Sequence, residues 1–367
     1  MKVAIVYPPL KSDKGVALLT QNRQFQWFSR PTYIFPVVPA TAATMLKNAG
    51  HEVLFLDAIA AEMSVDEFER KLIAFEPDLV VMETKTPVVK RHWKWVARMK
   101  EMLPYFPRIV LVGDHVTAMP EESMENSPVD FILTGGDWDF LLETLVRSNF
   151  DSSLFETGVW YREKGVVKST GEFRLDHDLN SAPWIDRDLV NWKLYAKKNG
   201  NFKRTPGTYI MSGRDCWHAK CTFCSWTTLY PTYRTRDPID VVDEIEMLVK
   251  KYGIKEIMDD CYDNSLELFF PIILEHWKKF YALGYNVYAR EYTEEHPGHP
   301  TRYQIACELE KRYKAWKNFP FIEDNVDYDI YNSDNGDLDL SKAYQKEKCL
   351  KKEFFDYYMM YAEEMWD

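Results

Sequence analysis

Cys216, Cys221 and Cys224 crowd into the stretch Ser212-Gly213-Arg214-Asp215-Cys216-Trp217-His218-Ala219-Lys220-Cys221-Thr222-Phe223-Cys224-Ser225-Trp226. Three thiolates on one loop can hold three irons of a [4Fe-4S] cluster and leave the fourth iron open to a ligand. Two other readings compete: a zinc site that enlists His218, and unlinked core cysteines. Zinc usually takes four ligands, and neither a second Cys-x-x-Cys nor a spaced His pair follows. A second candidate is the carboxylate pair Asp259-Asp260, which ends the apolar run Glu256-Ile257-Met258. Such a pair either caps a helix or meets a polar ligand. A third group consists of turns that follow apolar runs in the first part of the chain. These are Pro8-Pro9-Leu10, then Gly113-Asp114-His115-Val116-Thr117 with Pro120, then Thr134-Gly135-Gly136-Asp137. Glycine there either makes a tight turn or lets a large ligand approach the backbone.

These residues need elements to position them. Val3–Val6, Val53–Leu56, Leu79–Met82, Ile109–Val112 and Phe131–Leu133 are apolar runs of strand length. Between them, Pro39–Asn48, the stripe Val65, Phe68, Leu72 and Phe75, and Trp93–Leu103 read as helices. Continuous apolar strands alternating with helices predict a five-stranded, doubly wound parallel sheet over about residues 1–148. Ligands of such sheets sit at the carboxyl ends of the strands, where the three turns fall. No G-x-G-x-x-G follows the first strand, which argues against a dinucleotide.

Residues 149–206 read as a connector with a hairpin at Gly158–Val167 around Glu163-Lys164-Gly165. Thr208–Met211 reads as a buried strand ahead of the cysteines. Asp237-Pro238 then starts a helix striped by Val242, Ile245, Leu248 and Val249, and Gly253 ends it before the strand Glu256–Met258. This strand–helix–strand order is the start of a βα barrel over 207–290. Residues 291–367 are charged and Tyr-rich, with Leu350–Trp366 patterned as an amphipathic helix. Cys307 and Cys349 stand alone and read as packing residues.

The chain has 367 residues, with 46 Lys+Arg against 57 Asp+Glu and a net charge of −11. That balance disfavours nucleic-acid binding, which needs cations to displace counterions. No apolar run reaches the roughly 18 residues of a membrane span. The N-terminus lacks a signal-peptide pattern, so a cytoplasmic setting is expected.

Two resemblances follow from these residues. Pro8-Pro9, Gly50-His51-Glu52-Val53, Asp57, Gly113-Asp114-His115 and Gly135-Gly136-Asp137 look like the cobalamin-binding domain of B12-binding-domain-containing radical SAM proteins. Asp114 stands where that family usually has Gly, and Gly136-Asp137-Trp138-Asp139 replaces its Gly-Glu-x-Glu. The cysteine loop resembles the radical SAM signature, with Cys-x4-Cys-x2-Cys in place of Cys-x3-Cys-x2-Cys. The resemblance implies an α/β fold: a Rossmann-like, cobalamin-binding domain followed by a partial or divergent radical SAM barrel. It implies three cofactors: a [4Fe-4S] cluster on Cys216, Cys221 and Cys224, S-adenosylmethionine beside Phe223, Asp259 and Asp260, and cobalamin. Cobalamin would meet Pro8, Gly113, Asp114, His115, Thr117, Gly135 and Gly136, with no protein histidine beneath the cobalt. The expected activity is methylation or rearrangement at an unactivated carbon of a small molecule, with flavodoxin or ferredoxin as reductant. The rival expectations are a non-catalytic Fe–S or corrinoid-binding protein and a zinc-binding regulatory protein.

Overall fold

The computed structural model describes residues 1–19, 25–200, 202–214, 226–259, 266–282, 300–317, 346, 349–358 and 360–361. It divides into two compact units, Met1–Tyr262 and Asp263–Asp367, which are taken separately.

The first unit is built on a seven-stranded sheet. Its five parallel strands are those expected: β1 (Lys2–Tyr7), β5 (Glu52–Asp57), β6 (Leu79–Glu83), β7 (Arg108–Val112) and β8 (Phe131–Leu133). Two further strands, β9 (Val159–Glu163) and β10 (Val166–Ser169), are the hairpin assigned to the connector. They extend the sheet antiparallel, in the order β10-β9-β8-β7-β6-β1-β5. The intervening β2 (Lys11–Ser12), β3 (Gly15–Leu18) and β4 (Gln26–Phe28) form a separate small sheet after β1.

Alternation along the strands explains the layering. Ala4, Val6, Val80, Met82, Ile109, Leu111 and Ile132 share one core. Phe68 and Leu72 of α2 (Val65–Phe75) and Trp93, Val96 and Met99 of α3 (Val89–Met102) fill that side. The intervening strand residues, such as Val3, Ile5, Val81 and Val110, are buried as well, so both faces are covered. Ser64 caps α2 by accepting from the Glu67 amide, as the Ser-x-x-Glu pattern requires. β1 has β5 on one side and β6 on the other, so the winding reverses there. This is the switch point at which doubly wound sheets bind ligands.

Gly113–Thr117 and Pro120–Glu122, read as loop from the sequence, are helical: α4 (Asp114–Ala118) and α5 (Pro120–Asn126). Helix α6 (Trp138–Arg147) follows β8. Farther along, β11 (Gly207–Ile210) pairs parallel with β14 (Glu256–Asp259) across α8 (Pro238–Tyr252). Asp237 caps α8 by accepting from the Ile239 amide, and Gly253 ends it at φ +65°. Two short strands, β12 (Gly213–Arg214) and β13 (Arg234–Thr235), pair antiparallel around α7 (Trp226–Leu229).

In the second unit, α9 (Leu266–Phe280) and α10 (Arg302–Lys317) pack with helical residues 349–358. Ile273, Trp277, Leu309, Trp316 and Phe354 make its core. Among the described residues no helix is long and apolar enough to cross a membrane.

Candidate corrinoid edge and thiolate-loop stem

The carboxyl edge of the parallel sheet holds a buried polar cluster at the switch point. Tyr7 and Glu83 terminate apolar strands, so they lie at the edge without interrupting a core layer. The Tyr7 hydroxyl at the end of β1 donates to Glu83 Oε2 at the end of β6, 2.5 Å away. Burial pushes both groups up; the Glu83 charge and hydrogen bond raise Tyr7 further, while the Lys85 charge and the Tyr7 hydrogen bond pull Glu83 part of the way back. Lys85 follows, only 2% exposed, with its ammonium 3.6 Å from Asp114 Oδ2. The second Asp114 oxygen, Oδ1, is buried and has no hydrogen-bond partner among the described residues. His92, beneath, pairs Nδ1 with Thr84 Oγ1 at 2.8 Å, and burial lowers its pKa to about 3, which keeps it neutral.

The candidate corrinoid residues gather at this same edge. Pro8 follows β1. Gly113 joins β7 to α4 at φ +112°, and a Cβ there would lie 2.4 Å from the Thr84 carbonyl oxygen. His115 Nδ1 is 3.2 Å from Thr86 Oγ1; its Nε2 is 3.2 Å from a Glu122 oxygen but out of line for a hydrogen bond. Thr117 Oγ1 donates to the Gly113 carbonyl and accepts from the Gly135 amide, joining the loops after β7 and β8. Gly135 and Gly136 are required by the chain's own packing. A Cβ on Gly135 would strike the Phe173 ring, and one on Gly136 the Tyr230 ring. Two open clefts border this edge. One, of about 800 Å³, reaches Thr117, Thr134, Trp160 and Phe173. The other, of about 400 Å³, reaches Pro9, Leu10, Tyr33, Ile59 and Glu62.

The stem of the cysteine-bearing segment is fastened to the β8 end of this edge. The β12–β13 ladder brings Gly213-Arg214 beside Arg234-Thr235, and both arginines face the start of α6. Arg214 Nη1 donates to Asp139 Oδ1 at 2.7 Å and its Nη2 to Asp139 Oδ2, while Nη1 also lies 3.3 Å from Asp137 Oδ1. Arg234 grips Asp137 with both nitrogens, at 2.8 and 2.7 Å. The Tyr230 hydroxyl donates to the Gly136 carbonyl at 3.0 Å, and the Gly136 amide donates to the Leu229 carbonyl at 3.1 Å. Burial alone would disfavour the Arg214 charge, but Asp139 and Asp137 more than reverse that. Asp137 is likewise pushed up by burial, yet its bonds to His177 and Arg234 and the two arginine charges hold it well below the usual carboxylate range.

His177 bridges Asp137 and Glu156 at 3.2 and 3.0 Å and stacks on Phe140. Its bond to Asp137 raises its pKa, against some burial. A raised folded-state pKa means that the stabilisation is complete below the unfolded value and is lost as pH rises through the folded one. Unfolding free energy is therefore expected to fall as pH climbs from roughly 6.5 into the alkaline range. His177→Gln should flatten that part of the urea-unfolding pH profile. An identical slope in the variant would assign the pH dependence to other groups.

Cys216, Cys221, Cys224, Phe223 and Asp260 lie outside the described residues. Asp259 ends β14, and its Oδ1 accepts from the Ser212 amide at 3.0 Å, which ties the barrel strand to the stem of the cysteine segment. Tyr7, Glu83, Lys85 and Arg214 were not singled out from the sequence. The one available signal was the abrupt change from apolar strand to Glu83-Thr84-Lys85. The corrinoid candidates fit their group on one observation: the orphaned Asp114 Oδ1 is a buried acceptor, and the rim of a corrin carries carboxamide donors.

Comparison with known proteins agrees with this geometry. A model of the B12 binding domain matches residues 30–138. The anaerobic magnesium-protoporphyrin IX monomethyl ester cyclase of Cereibacter sphaeroides is 30% identical over 218 residues, 57% of this chain and 34% of the relative. An uncharacterized methyltransferase of Pyrococcus horikoshii is 26% identical over 269 residues, 71% of this chain and 54% of the relative. The chain thus spans about a third to a half of these curated relatives. Among solved structures, the cobalamin-dependent S-adenosylmethionine radical enzyme OxsB with aqua-cobalamin bound aligns over 86% of this chain and 42% of its own, at TM-score 0.56 and 16% identity. The radical S-adenosylmethionine methyltransferase TsrM of Kitasatospora setae, with tryptophan and a SAM analogue bound, aligns over 75% of this chain and 51% of its own, at TM-score 0.52 and 18% identity. The chain therefore contains a B12-binding domain, and its resemblance is to the B12-binding-domain-containing radical SAM proteins, whose fold it shares.

Proposed function

We propose that the chain is a cobalamin-dependent radical SAM enzyme that methylates or rearranges an unactivated carbon of a small-molecule substrate. One observation carries this reading: the stem of the three-thiolate segment is pinned to the loop after β8, beside the residues expected to meet a corrinoid. Cys216, Cys221 and Cys224 would hold the [4Fe-4S] cluster. Phe223, Asp259 and Asp260 would meet S-adenosylmethionine. Pro8, Gly113, Asp114, His115, Thr117, Gly135 and Gly136 would meet cobalamin.

When bound, these groups supply radical generation and methyl carriage. The chain's own residues position and shield them. Asp114 Oδ1 would accept a hydrogen bond from a corrin carboxamide, while Lys85 pairs with the other Asp114 oxygen. Asp259, through the Ser212 amide, fixes where the cysteine segment leaves its strand. His115, 4% exposed and held between Thr86 and Glu122, would not be expected to ligate cobalt, and the loop after β1 contains no histidine. A reducing, cytoplasmic setting with flavodoxin or ferredoxin as electron donor suits three thiolates without a disulfide role.

Anaerobic reconstitution tests the reading. The chain should take up iron at [4Fe-4S] stoichiometry together with cobalamin, and should release 5′-deoxyadenosine from S-adenosylmethionine when reduced. Cys216→Ala/Cys221→Ala/Cys224→Ala should abolish iron uptake, and the Co(II) EPR signal should lack nitrogen superhyperfine splitting. Full iron in the triple variant, or no uptake of cobalamin by the wild-type chain, would overturn it.

A further inference from the structure

Two carboxylates at the start of α6, Asp137 (1% exposed) and Asp139 (fully buried), receive two guanidinium groups from opposite ends of the loop that carries the cysteines. Helix starts usually use such carboxylates to cap their own amides. Here Asp137, at the N-cap, makes no side-chain cap bond, and both carboxylates turn to the arginines. Arg214 and Arg234 are also ladder partners across β12 and β13, so a single station gathers both strands of the stem. Gly213 permits the close pairing, since a Cβ there would lie 2.4 Å from the Arg234 carbonyl oxygen. Tyr230 and Leu229 add two bonds to Gly136, one residue before Asp137.

Among the described residues, charge is balanced at the station. Arg214 and Arg234 face Asp137 and Asp139, and His177, when protonated, faces Glu156. Breaking a buried pair on one side leaves an uncompensated charge, whereas removing both sides together does not. Arg214 stands two residues before Cys216 in the sequence, so any charge left over at the station is close along the chain to the first thiolate.

We propose that Asp139 and Arg214, with Asp137 and Arg234, form a charge-neutral lock that positions the stem of the thiolate loop on the corrinoid-side loop after β8 and fixes the electrostatic environment of the cluster. Asp139 and Arg214 are positioning residues, since nothing places them on substrate or cofactor. The cluster readout rests on the proposed function; the lock itself does not.

The experiment compares Asp139→Asn, Arg214→Met and the double variant with the wild type in the full chain. Hydrogen exchange of the amides in residues 230–236 is expected to speed at least tenfold in either single variant, with the α3 amides unchanged. In the reconstituted protein, the midpoint potential of the cluster is expected to move up in Asp139→Asn, because the uncompensated Arg214 charge favours the more negative reduced cluster. It is expected to move down in Arg214→Met and to return toward the wild-type value in the double variant. A merely structural contact would disturb both single variants in the same direction. Equal-direction shifts in potential, or unchanged exchange in 230–236, would overturn the lock. If the wild-type chain takes up no iron, the proposed function fails, and the exchange comparison still decides the lock.

Discussion

Gly113→Ala should lower the unfolding free energy by about 2–4 kcal/mol and strip the chain of cobalamin affinity with it. Two costs combine. At φ +112° a residue with a Cβ is strained wherever it stands. The new Cβ would also meet the Thr84 carbonyl oxygen at 2.4 Å, and that oxygen is backbone at the end of β6, which cannot swing aside. The Thr84 amide is itself bonded to the Val112 carbonyl, so the two strand ends must part for the methyl to enter. Asp114 and His115 follow directly and would move with them. Urea unfolding followed by circular dichroism measures the first effect and cobalamin titration the second. An unchanged midpoint would mean that β6 and β7 are not as close at this edge as described.

Lys85→Met is the second large effect. Lys85 is the buried cation of the switch-point cluster, with Asp114 3.6 Å away and Glu83 feeling its charge. Methionine keeps most of the volume and removes the charge. Losing one member of a buried ion pair costs about 3–5 kcal/mol. Glu83, already pushed up by burial, would lose the Lys85 charge that holds it down and titrate higher still. The deficit should therefore be greatest at alkaline pH and shrink as pH falls and Glu83 takes up a proton. Unfolding curves for both proteins at pH 5 and pH 8 test this. A deficit of equal size at both would show that lost packing, and not lost charge, is responsible.

The strands of the parallel sheet were readable because a strand covered on both faces is a short unbroken apolar run, as in Leu79–Met82 and Ile109–Val112. Helix α8 announced itself through Asp237-Pro238 at one end and Gly253 at the other. Helix α6 did not. Trp138 to Leu142 are buried consecutively, so no 3.6-residue stripe separates an inner from an outer face. The Val159–Ser169 hairpin was legible as a hairpin, yet its place beside β8 depends on pairs such as Ile132 with Trp160, which no local pattern encodes. The site divides in the same way. Glycine and proline at strand ends mark the edge, whereas the bond from Arg214 to Asp139 spans 75 residues and leaves no trace in charge spacing. Gly135 and Gly136 also have a packing reason that no local pattern shows, since a Cβ on either would strike Phe173 or Tyr230.

That hairpin also bears on how the chain can be shortened. β8 is three apolar, buried residues, and its outer side is covered by β9. A fragment stopped near residue 148 would bare a greasy row of amides and carbonyls, an invitation for copies to join strand to strand. With the hairpin retained, the outermost strand is β10, where Lys168 pairs with Glu163 and Val166 alone is a large exposed apolar side chain. A soluble piece carrying the parallel sheet by itself therefore has to run at least through Ser169, and the hairpin acts as the selvedge that keeps the fabric from fraying.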